Sequence, residues 1–376
     1  MIIFWLSIFL IFFSYFGYPI ILVILGLFKS KKIKKIEITL SVTLLIPVYN
    51  EENVIRKKIE NSLNLDYPND KLEVVVASES NDKTNEIVKQ YENKGVKLFA
   101  YSGREGKQFT IYRTIPKCSG EIVVLTDVNG IFEKSAIKKL VRNFNDTNVG
   151  CVSGELRYVN SKKEINRESE GLYWKYEIWI KKLESRIQSV LGANGSIYAI
   201  RKNLYSPLSE YRGDDFELPV RIAQQRYGAV FEPEAVSFEK FSGTIRKEFN
   251  RRVRIVGWVW RSALILLKDS IKKGQLLLVF QLMSHKILRW LTGLFLALIF
   301  FTNFFLLDKA LYLGLLLFQI VFYSLGILGY FKEKRKKESS RCINVIYYFC
   351  AINLAAFLGV FKSILGRQKA TWQKVR

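Results

Sequence analysis

Short apolar runs, separated by polar and helical stretches, mark the first part of the chain. Each run is long enough for a strand, and near-continuous apolarity indicates a strand that is covered on both faces. The runs are residues 42–46, 72–77, 96–99 and 122–125. Because the stretches at 54–63 and 84–95 favour helices, we expect a doubly wound, largely parallel α/β sheet. Ligands bind such sheets at the carboxyl ends of the strands, so we expect the functional site there.

The pattern after residue 167 is less regular. Residues 168–185 are predicted to form an aromatic-rich helix, 191–201 a glycine-rich turn that leads into a strand, and 220–225 a further helix. In residues 246–273, lysines and arginines are interleaved with apolar side chains. This pattern is typical of an amphipathic helix that lies in a membrane interface. Nucleic-acid binding is the rival interpretation of such a basic segment, and the long apolar runs on either side argue against it.

Those longer apolar runs lie near both ends of the chain. Residues 2–28 are almost free of charge and are followed by Lys29, Lys31, Lys32, Lys34 and Lys35. A run of this length spans a bilayer, and the lysines place its carboxyl end in the cytoplasm. Three more apolar runs occupy residues 289–307, 310–330 and 342–361. The pattern therefore predicts a multi-pass protein of the cell membrane.

The basic segments near the carboxyl end do not fit a simple count of crossings. If residues 30–285 are cytoplasmic, three further crossings would place the basic tail outside, whereas its lysines and arginines favour the inside. One run is therefore expected to be re-entrant or interfacial, or residues 275–288 to lie deeper in the membrane than their composition indicates.

Composition limits the chemistry. The 376-residue chain has a formal net charge of +24, a single histidine, His285, and four cysteines without a paired metal-binding spacing. A histidine metal cluster and a Ser-His-Asp triad are therefore excluded, and reduced cysteines are expected in a cytoplasmic domain. Any acid–base chemistry has to come from carboxylates, lysine or tyrosine.

Asp127 and Asn129 directly follow the predicted strand at 122–125. A carboxylate and an amide oxygen at the carboxyl end of a strand suit a hard divalent cation, which takes oxygen ligands and leaves positions open for phosphate. The alternative is a tight turn, since Asp, Asn and Gly all favour turns. Gly106 and Lys107 form a further candidate phosphate contact, although their spacing is not that of a P-loop.

Three carboxylates, Asp214, Asp215 and Glu217, lie close together in the chain. Because like charges this close repel, the pKa of one is expected to be raised, which suits a general base. The alternative is the amino-terminal turn of the helix that follows, where acidic side chains are favourable.

Six short motifs occur in an order that resembles the family 2 glycosyltransferases. The resemblance is to the inverting, membrane-embedded type that is related to the synthases of cellulose, hyaluronan and poly-N-acetylglucosamine. The motifs are Pro47-Val-Tyr49-Asn-Glu51, Gly106-Lys107, Thr126-Asp-Val-Asn129, Gly192-Ala-Asn-Gly-Ser196, Gly213-Asp-Asp215 and Arg251-Arg-Val-Arg254. The resemblance implies a GT-A fold, a Rossmann-like α/β fold of nucleotide-diphospho-sugar transferases, flanked here by transmembrane helices.

The resemblance also implies roles for individual residues. Asp127 and Asn129 would hold Mg²⁺ or Mn²⁺ on the donor diphosphate, and Asp215 would be the catalytic base with Asp214 beside it. The residues implied in donor binding are Pro47, Tyr49, Glu51, Ser78, Glu79, Lys107, Asp127, Arg251, Arg252 and Arg254. Those implied in acceptor binding are Gly195, Ser196 and Trp258.

Three departures from the family pattern bear on the substrate. Ser78 or Glu79 stands near the place of an aspartate that contacts the donor base and ribose, and Asn129 replaces the second metal-binding aspartate. Ile255 replaces a tryptophan that stacks on the growing polymer in processive synthases. The resemblance implies a UDP-sugar donor, which the missing aspartate does not support, and the missing tryptophan favours the transfer of one sugar at a time.

The expected function is inverting hexosyl transfer from a nucleotide-diphospho-sugar to a lipid-linked or glycan acceptor at the membrane, without a nucleic-acid partner. One carboxylate base without a carboxylate nucleophile implies a single displacement. The alternatives are a processive polysaccharide synthase of the same family and a non-catalytic membrane scaffold.

The chain is expected to divide into five parts. They are a transmembrane helix at 1–28, a cytoplasmic GT-A domain at 36–245, interfacial helices at 246–288, about three transmembrane segments at 289–363 and a basic tail at 364–376.

Overall fold

The computed structural model describes residues 1–29, 33–159, 167–207, 213–240 and 244–366. They form one mixed sheet of eight strands, with helices packed on it, and a set of long apolar helices drawn from both ends of the chain. Most of the predicted basic tail, from residue 367 onwards, lies outside the described residues, as do Lys31 and Lys32.

The strands and helices are numbered in chain order. The strands are β1 (Val42–Val48), β2 (Leu72–Ser78), β3 (Val96–Ala100), β4 (Ile122–Leu125), β5 (Ile131–Phe132), β6 (Val149–Val159), β7 (Tyr198–Arg201) and β8 (Gly228–Lys240). The helices are α1 (Ile2–Phe12), α2 (Tyr18–Lys29), α3 (Ile55–Leu63), α4 (Thr84–Lys89), α5 (Lys107–Thr114), α6 (Ala136–Val141), α7 (Arg167–Arg186), α8 (Asp214–Gln224), α9 (Ile245–Lys272), α10 (Leu276–Gln281), α11 (Leu288–Trp290), α12 (Thr292–Asn303), α13 (Ala310–Lys334) and α14 (Arg341–Ile364). Two π-helical segments, Phe13–Gly17 and Leu282–Ile287, join α1 to α2 and α10 to α11.

The sheet has the strand order β3-β2-β1-β4-β7-β6-β8-β5. The prediction of an α/β sheet is confirmed, but the sheet is mixed, and the expected parallel arrangement holds from β3 to β4 and again between β6 and β8. Strand β7 runs antiparallel to both of its neighbours. Helix α7, between β6 and β7, packs on α2 and α14 as well as on β8. The connection therefore differs from the regular crossover that joins parallel strands.

Two apolar cores lie on opposite faces of the sheet. Leu44 and Ile46 of β1 belong to the core that contains Ile59 of α3. Leu45, between them, belongs to the other core, which contains Ile111 of α5. Both faces are covered, so β1 and β4 are buried at every position, as their mainly apolar sequences predict.

The carboxyl ends of the parallel strands meet at one edge of the sheet. Val48 at the end of β1 is paired with Ser78 at the end of β2, and Leu125 at the end of β4 is paired with Leu45 of β1. The loops that follow these strands carry the candidate donor and metal residues of the sequence. The predicted position of the site at this edge is therefore matched by the register.

The bounds of two helices differ from the prediction. The helix expected at 220–225 begins at Asp214, so the acidic triplet lies inside its first turn. Acidic side chains are favourable there because the helix dipole is positive at its amino end. The helix expected at 84–95 ends at Lys89, and a short 3-10 turn then leads to Gly95, whose left-handed φ of 86° ends the helical path.

Within the described ranges of the chain, three helical runs are long and apolar enough to cross a membrane. They are Ile2–Phe28, Ala310–Lys334 and Arg341–Ile364. A fourth is formed if Leu276–Trp290 and Thr292–Leu306, which meet at an angle of 58°, count as one span. The apolar run expected at 289–307 is the second half of this bent pair, and the pair also takes up most of residues 275–288.

Helices α9 and α14 approach each other closely at a glycine. A Cβ built on Gly359 of α14 would lie 2.8 Å from the carbonyl oxygen of Val253 and 3.0 Å from the backbone nitrogen of Gly257, both in α9. Backbone atoms cannot rotate away as side chains can, so any larger residue has to push the helices apart. Gly359 thus sets the distance between the basic helix α9 and an apolar helix.

We expect the substitution Gly359→Ala to destabilise the protein by about 1–3 kcal/mol, because the added methyl group overpacks this crossing. Thermal unfolding of the purified protein in detergent measures the loss. Gly314→Ala is the matched control, since Gly314 of α13 has open space around its Cβ position. Equal melting temperatures for the two variants would contradict the close approach.

Candidate active site

Asp127 is held at the sheet edge by the residue before it. The hydroxyl of Thr126 donates a hydrogen bond to the carbonyl oxygen of Ser196 (2.8 Å) and accepts one from the ammonium of Lys58 (2.9 Å). Lys58 also donates to the carbonyl oxygen of Gly130. These contacts fix the backbone on both sides of Asp127, which leaves its carboxylate partly exposed above the strand end.

Lys107, the first residue of α5, bridges two carboxylates. Its ammonium lies 3.0 Å from Oδ1 of Asp127 and 3.4 Å from Oδ1 of Asp214. Burial acts to lower the pKa of Lys107, but the carboxylates of Asp127, Asp214 and Asp215 outweigh it and raise this pKa. Lys107 is therefore charged at neutral pH and neutralises part of the acidic cluster.

The three carboxylates of the acidic triplet face different surroundings. Asp214 is buried and accepts a hydrogen bond of 2.7 Å from the hydroxyl of Tyr198. Glu217 is buried and accepts a hydrogen bond of 2.7 Å from Nε of Arg221, which removes it from the site. Asp214 and Asp215 both line the large cavity, and Asp215 is the most exposed carboxylate of the three. Burial, followed by the charge of Asp214, raises the pKa of Asp215 to about 6, as the crowding of the triplet predicts.

Asp127 and Asp215 converge on Gly195. A Cβ at this glycine would lie 3.2 Å from Oδ2 of Asp215 and 3.4 Å from Oδ2 of Asp127. Two carboxylates that are far apart in the sequence thus border the same small volume. The glycine-rich loop Gly192–Ser196 leaves this volume open, which is the simplest reason for a glycine at that position.

A small cavity at the ends of β1 and β2 contains several predicted donor residues. It is lined by Pro47, Tyr49, Glu51, Glu79, Lys107 and Asp127, together with Arg104, whose guanidinium lies 4.6 Å from the centre of the Tyr49 ring. Oε2 of Glu79 accepts a hydrogen bond of 2.8 Å from the backbone N–H of Gly106, and Oε1 is buried without a partner in the described residues. Ser78 is buried and lines neither cavity, so Glu79 is the one of the two that reaches a ligand.

A second, larger cavity of about 530 Å³ continues from the first. It runs from Asp127 and Lys107 along the Gly192–Ser196 loop to Tyr15 and Asn353, which belong to the apolar helices. Arg251, Arg252, Arg254 and Trp258 of α9 line it, as do Asn129, Gly195, Ser196 and Asp215. All but a few of the residues singled out in the sequence therefore border two adjoining cavities.

The arginines of α9 are held by neighbours rather than extended into solvent. Nε of Arg251 lies 2.5 Å from Oε2 of Glu248, and the guanidinium of Arg252 stacks 4.8 Å from the centre of the Tyr173 ring while donating to its hydroxyl (3.0 Å). Arg254 lies 5.3 Å from the centre of the Trp258 ring. Guanidinium groups fixed in this way suit planar, bidentate contacts with phosphate oxygens.

The residues around Asp127 fit a cation that is shared with a ligand. Among the described residues, no group of three or more His, Cys, Asp and Glu side chains could hold a metal alone. Asp127 offers one carboxylate oxygen to the cavity, since Lys107 occupies the other, and Asn129 is exposed beside it. Mg²⁺ binds in this way, with one or two protein oxygens and the remaining positions filled by phosphate oxygens and water.

Sequence reasoning missed several residues of the site. Lys58 lies three residues after Ile55 on the apolar face of α3, and a lysine in that stripe was a signal for a buried contact. Burial lowers its pKa to about 7. Glu239, near the end of β8, lines the large cavity, and burial and the charge of Asp127 raise its pKa. Tyr198 and Lys286 carried no signal, because only the folded chain brings them to the site.

Comparison with known proteins identifies the class. A sequence profile described as "Glycosyltransferase like family 2" matches residues 40–257, which is more than half of the chain. The chain belongs to this family. The matched segment contains β1 to β8 and the motifs that border the two cavities.

Several characterised and curated proteins are similar to the chain. Probable glycosyltransferase YdaM of Bacillus subtilis is 29% identical over 250 residues, which are 60% of this chain and 56% of the relative. The β-monoglucosyldiacylglycerol synthase of Trichormus variabilis is 24% identical over 190 residues, or 48% of this chain and 41% of the relative. The poly-β-1,6-N-acetyl-D-glucosamine synthase of Staphylococcus epidermidis is 22% identical over 234 residues, or 61% and 56%. The chain spans about half the length of these relatives.

A solved structure has the same fold over almost the whole chain. It is the mannosyltransferase PcManGT from Pyrobaculum calidifontis in complex with GDP-Man and Mn²⁺. The TM-score is 0.71 at 19% identity, and the alignment covers 97% of this chain and 99% of that chain. The expected GT-A fold is confirmed, and the likeness includes the apolar helices at both ends.

We expect Tyr198→Phe to destabilise the protein by about 2 kcal/mol, because it removes a hydrogen bond to the buried carboxylate of Asp214. Thermal unfolding in detergent measures the effect. Tyr205→Phe is the matched control, since the buried hydroxyl of Tyr205 has no hydrogen-bond partner in the described part of the chain. A loss of stability as large in the control as in Tyr198→Phe would contradict the assignment.

Proposed function

We propose that the chain is a membrane-embedded, inverting glycosyltransferase that moves one sugar from a nucleotide-diphospho-sugar to a hydroxyl of a lipid-linked or glycan acceptor. The observation that carries the proposal is the convergence of Asp127 and Asp215 on Gly195. This point lies in a cavity that joins the sheet edge to the apolar helices. A diphosphate near Asp127 and an acceptor hydroxyl near Asp215 would therefore be within reach of each other.

Donor binding is assigned to the small cavity and the cations next to it. Tyr49, Glu51 and Glu79 would contact the nucleoside, and the unpartnered Oε1 of Glu79 would accept a hydroxyl hydrogen bond from the ribose. Lys107 and the three α9 arginines would contact the diphosphate. PcManGT, which shares the fold, was solved with GDP-Man and Mn²⁺, and this supports a nucleotide-sugar and a divalent cation, Mg²⁺ or Mn²⁺, at Asp127 and Asn129. A UDP-sugar is the donor that the sequence resemblance favours.

The proposed reaction is a single displacement. The acceptor oxygen attacks the anomeric carbon, Asp215 takes the hydroxyl proton, and the bond from that carbon to the diphosphate oxygen breaks with its electron pair on the leaving group. Lys107 and the arginines neutralise the charge that develops on the diphosphate. A divalent cation bound at Asp127 would supply further charge neutralisation there. Asp214, held by Tyr198 and Lys107, positions Asp215 next to it.

Two acceptor classes fit the names of the relatives. One relative is a synthase of a glycosyl lipid and another a synthase of a polymer. Single transfer is favoured here because Ile255 stands where processive synthases have a stacking tryptophan. The chain length of the labelled product separates the two classes. A ladder of long polymer would contradict single transfer.

The donor is identified by a binding screen. Purified protein is mixed with UDP-glucose, UDP-N-acetylglucosamine or GDP-mannose, each with and without Mn²⁺, and its melting temperature is measured. Ligands that bind the folded state raise that temperature. Stabilisation by one nucleotide-sugar with Mn²⁺ supports the proposal, whereas no stabilisation by any nucleotide-sugar favours the non-catalytic scaffold.

We expect Asp215→Asn to lower kcat by about 10²- to 10⁴-fold, because the amide cannot take the acceptor proton. The dissociation constant of the donor should change less than about twofold. Turnover with a radiolabelled donor and donor binding by calorimetry measure the two effects. Asp70→Asn is the control, since Asp70 is exposed and lines neither cavity. Normal turnover of the Asp215 variant would rule out its role as base.

We expect Asp127→Ala to weaken donor binding at least about tenfold in the presence of Mn²⁺, since a carboxylate ligand is lost from a site with few protein ligands. Donor affinity measured with and without Mn²⁺ separates this role from a general loss of folding. The same comparison on Asp70→Ala is the control. If the Asp127 variant keeps the full effect of Mn²⁺ on donor affinity, Asp127 does not hold the cation.

A further inference from the structure

Two lysines face the part of the large cavity that lies towards the apolar helices. Lys181 belongs to α7 and Lys286 to the π-helical segment between α10 and α11. Both line the cavity and both are partly exposed to it. We call Lys181 and Lys286 the lysine pair. The proposed reaction gives no role to either residue.

The lysine pair has no carboxylate partner. The ammonium of Lys181 donates to the side-chain oxygen of Asn194 (2.7 Å), and that of Lys286 lies 3.9 Å from the Cβ position of Gly192. In the described part of the chain, no carboxylate oxygen lies within ion-pair distance of either ammonium. Burial, and then the charge of Lys286, lower the pKa of Lys181 to about 8. The two charges repel each other, and the carboxylates of Glu177, Glu184 and Asp215 offset this repulsion without an ion pair to either lysine.

The carboxylates nearest to the lysine pair are bound to other groups. Glu184 accepts a hydrogen bond from the hydroxyl of Tyr18 (2.6 Å) and lies 2.7 Å from Nδ1 of His285. Glu177 forms an ion pair of 2.5 Å with Arg289. These pairs hold α2, α7 and the bent apolar helices together. Glu177 and Glu184 therefore act on the lysine pair only through their charge, and neither forms an ion pair with it.

The position of the lysine pair relates it to the acceptor rather than to the donor. Asn194 and Gly192 lie in the loop that contains Gly195, where the carboxylate of Asp215 faces the cavity. On the far side, Tyr15 and Asn353 of the apolar helices border the cavity and share a hydrogen bond of 2.9 Å. A ligand that comes from the membrane towards Asp215 passes the lysine pair. The donor diphosphate has Lys107 and the α9 arginines for its own charge.

We infer that the acceptor is a membrane lipid whose headgroup carries a phosphodiester and a free hydroxyl, and that Lys181 and Lys286 bind the phosphate. The inference rests on the proposed function of the cavity. Two ammonium groups in a partly buried wall favour a bound anion, whereas a neutral headgroup would leave both of them without a directly contacting anion. Lysine binds phosphate as a point charge on a flexible stem, which suits a headgroup that has to enter and leave.

The free hydroxyl of the headgroup is the nucleophile. Its oxygen forms the new bond to the anomeric carbon, its proton goes to Asp215, and the nucleoside diphosphate leaves with the electron pair of the broken bond. The phosphodiester is unchanged in the product. A phosphomonoester acceptor, by contrast, would attack through a phosphate oxygen that is already ionised and would need no base. The base at Asp215 therefore favours the diester.

The test uses the full chain in phosphatidylcholine nanodiscs that also contain phosphatidylglycerol, diacylglycerol or a polyisoprenyl phosphate. UDP-glucose, UDP-N-acetylglucosamine and GDP-mannose, each radiolabelled in the sugar, are supplied in parallel, and label in the lipid fraction is measured. We expect label in the phosphatidylglycerol arm.

Lys286→Gln and Lys181→Gln should each raise KM for this lipid at least about tenfold, with kcat and the dissociation constant of the donor changed less than about threefold. Lys286→Arg should restore most of the affinity, and Lys268→Gln, at a position of α9 that lines neither cavity, is the matched control.

Each contrary result has its own meaning. Transfer to diacylglycerol that is unaffected by the lysine variants would overturn the inference and leave the proposed function intact. Transfer to the polyisoprenyl phosphate alone would contradict the claim that the acceptor is a phosphodiester lipid. It would also contradict the claim that the reaction needs Asp215 as a base. Weaker donor binding in the lysine variants would assign both residues to the diphosphate and overturn the acceptor role. A protein that binds none of the three donors would contradict the proposed function itself, and the inference with it.

Discussion

The ion pairs of Lys107 are the interaction on which the site depends. Asp127 follows β4 and Asp214 begins α8, and their carboxylates approach each other only because one ammonium lies between them. Without that charge, Asp127, Asp214 and Asp215 would repel one another in a partly buried cavity, where such repulsion is poorly screened. Lys107 therefore holds three separate loops in one constellation. Lys107 forms no ion pair with Asp215, and the pKa of Asp215 is raised.

The site of Lys107 and the three aspartates lies between the parallel strands on one side and the apolar helices on the other. The four parallel strands, covered on both faces, fix the loops after β1, β2 and β4 at one edge. The opposite wall comes from α7, α9 and the apolar helices, which are joined by the close approach of Gly359 to α9 and by the buried pairs of Glu177 and Glu184. One cavity thus connects the chemistry at the sheet edge with helices that are able to cross a membrane.

The sequence predicted the part of the site that local patterns control. The run Ile122–Leu125 had to be a covered strand, so Asp127 had to lie at its carboxyl end. The acidic triplet predicted a raised pKa, although its sequence could not tell which carboxylate would have it. That choice depends on Tyr198 and Arg221, which take up Asp214 and Glu217. The direction of β7 was likewise not predictable, because it depends on where α7 packs.

Residues that reach the site through tertiary contacts were the hardest to predict. Lys286 lies far from Asp215 in the chain, in a segment whose composition indicated only a membrane neighbourhood. The sequence offered Ser78 and Glu79 as equal candidates for the same donor contact. In the structure their side chains point in different directions, because successive side chains of a strand point to opposite faces. The division into cytoplasmic, interfacial and membrane segments stays a prediction.

The central claim is that one base and no nucleophilic carboxylate act in a single displacement. The anomeric configuration of the product tests it most directly. A donor whose sugar is α-linked to the diphosphate is turned over, and the new glycosidic bond is examined by proton NMR before any later reaction. We expect a β-linked product, because one displacement inverts the anomeric carbon. An α-linked product would require a second displacement and would contradict this mechanism.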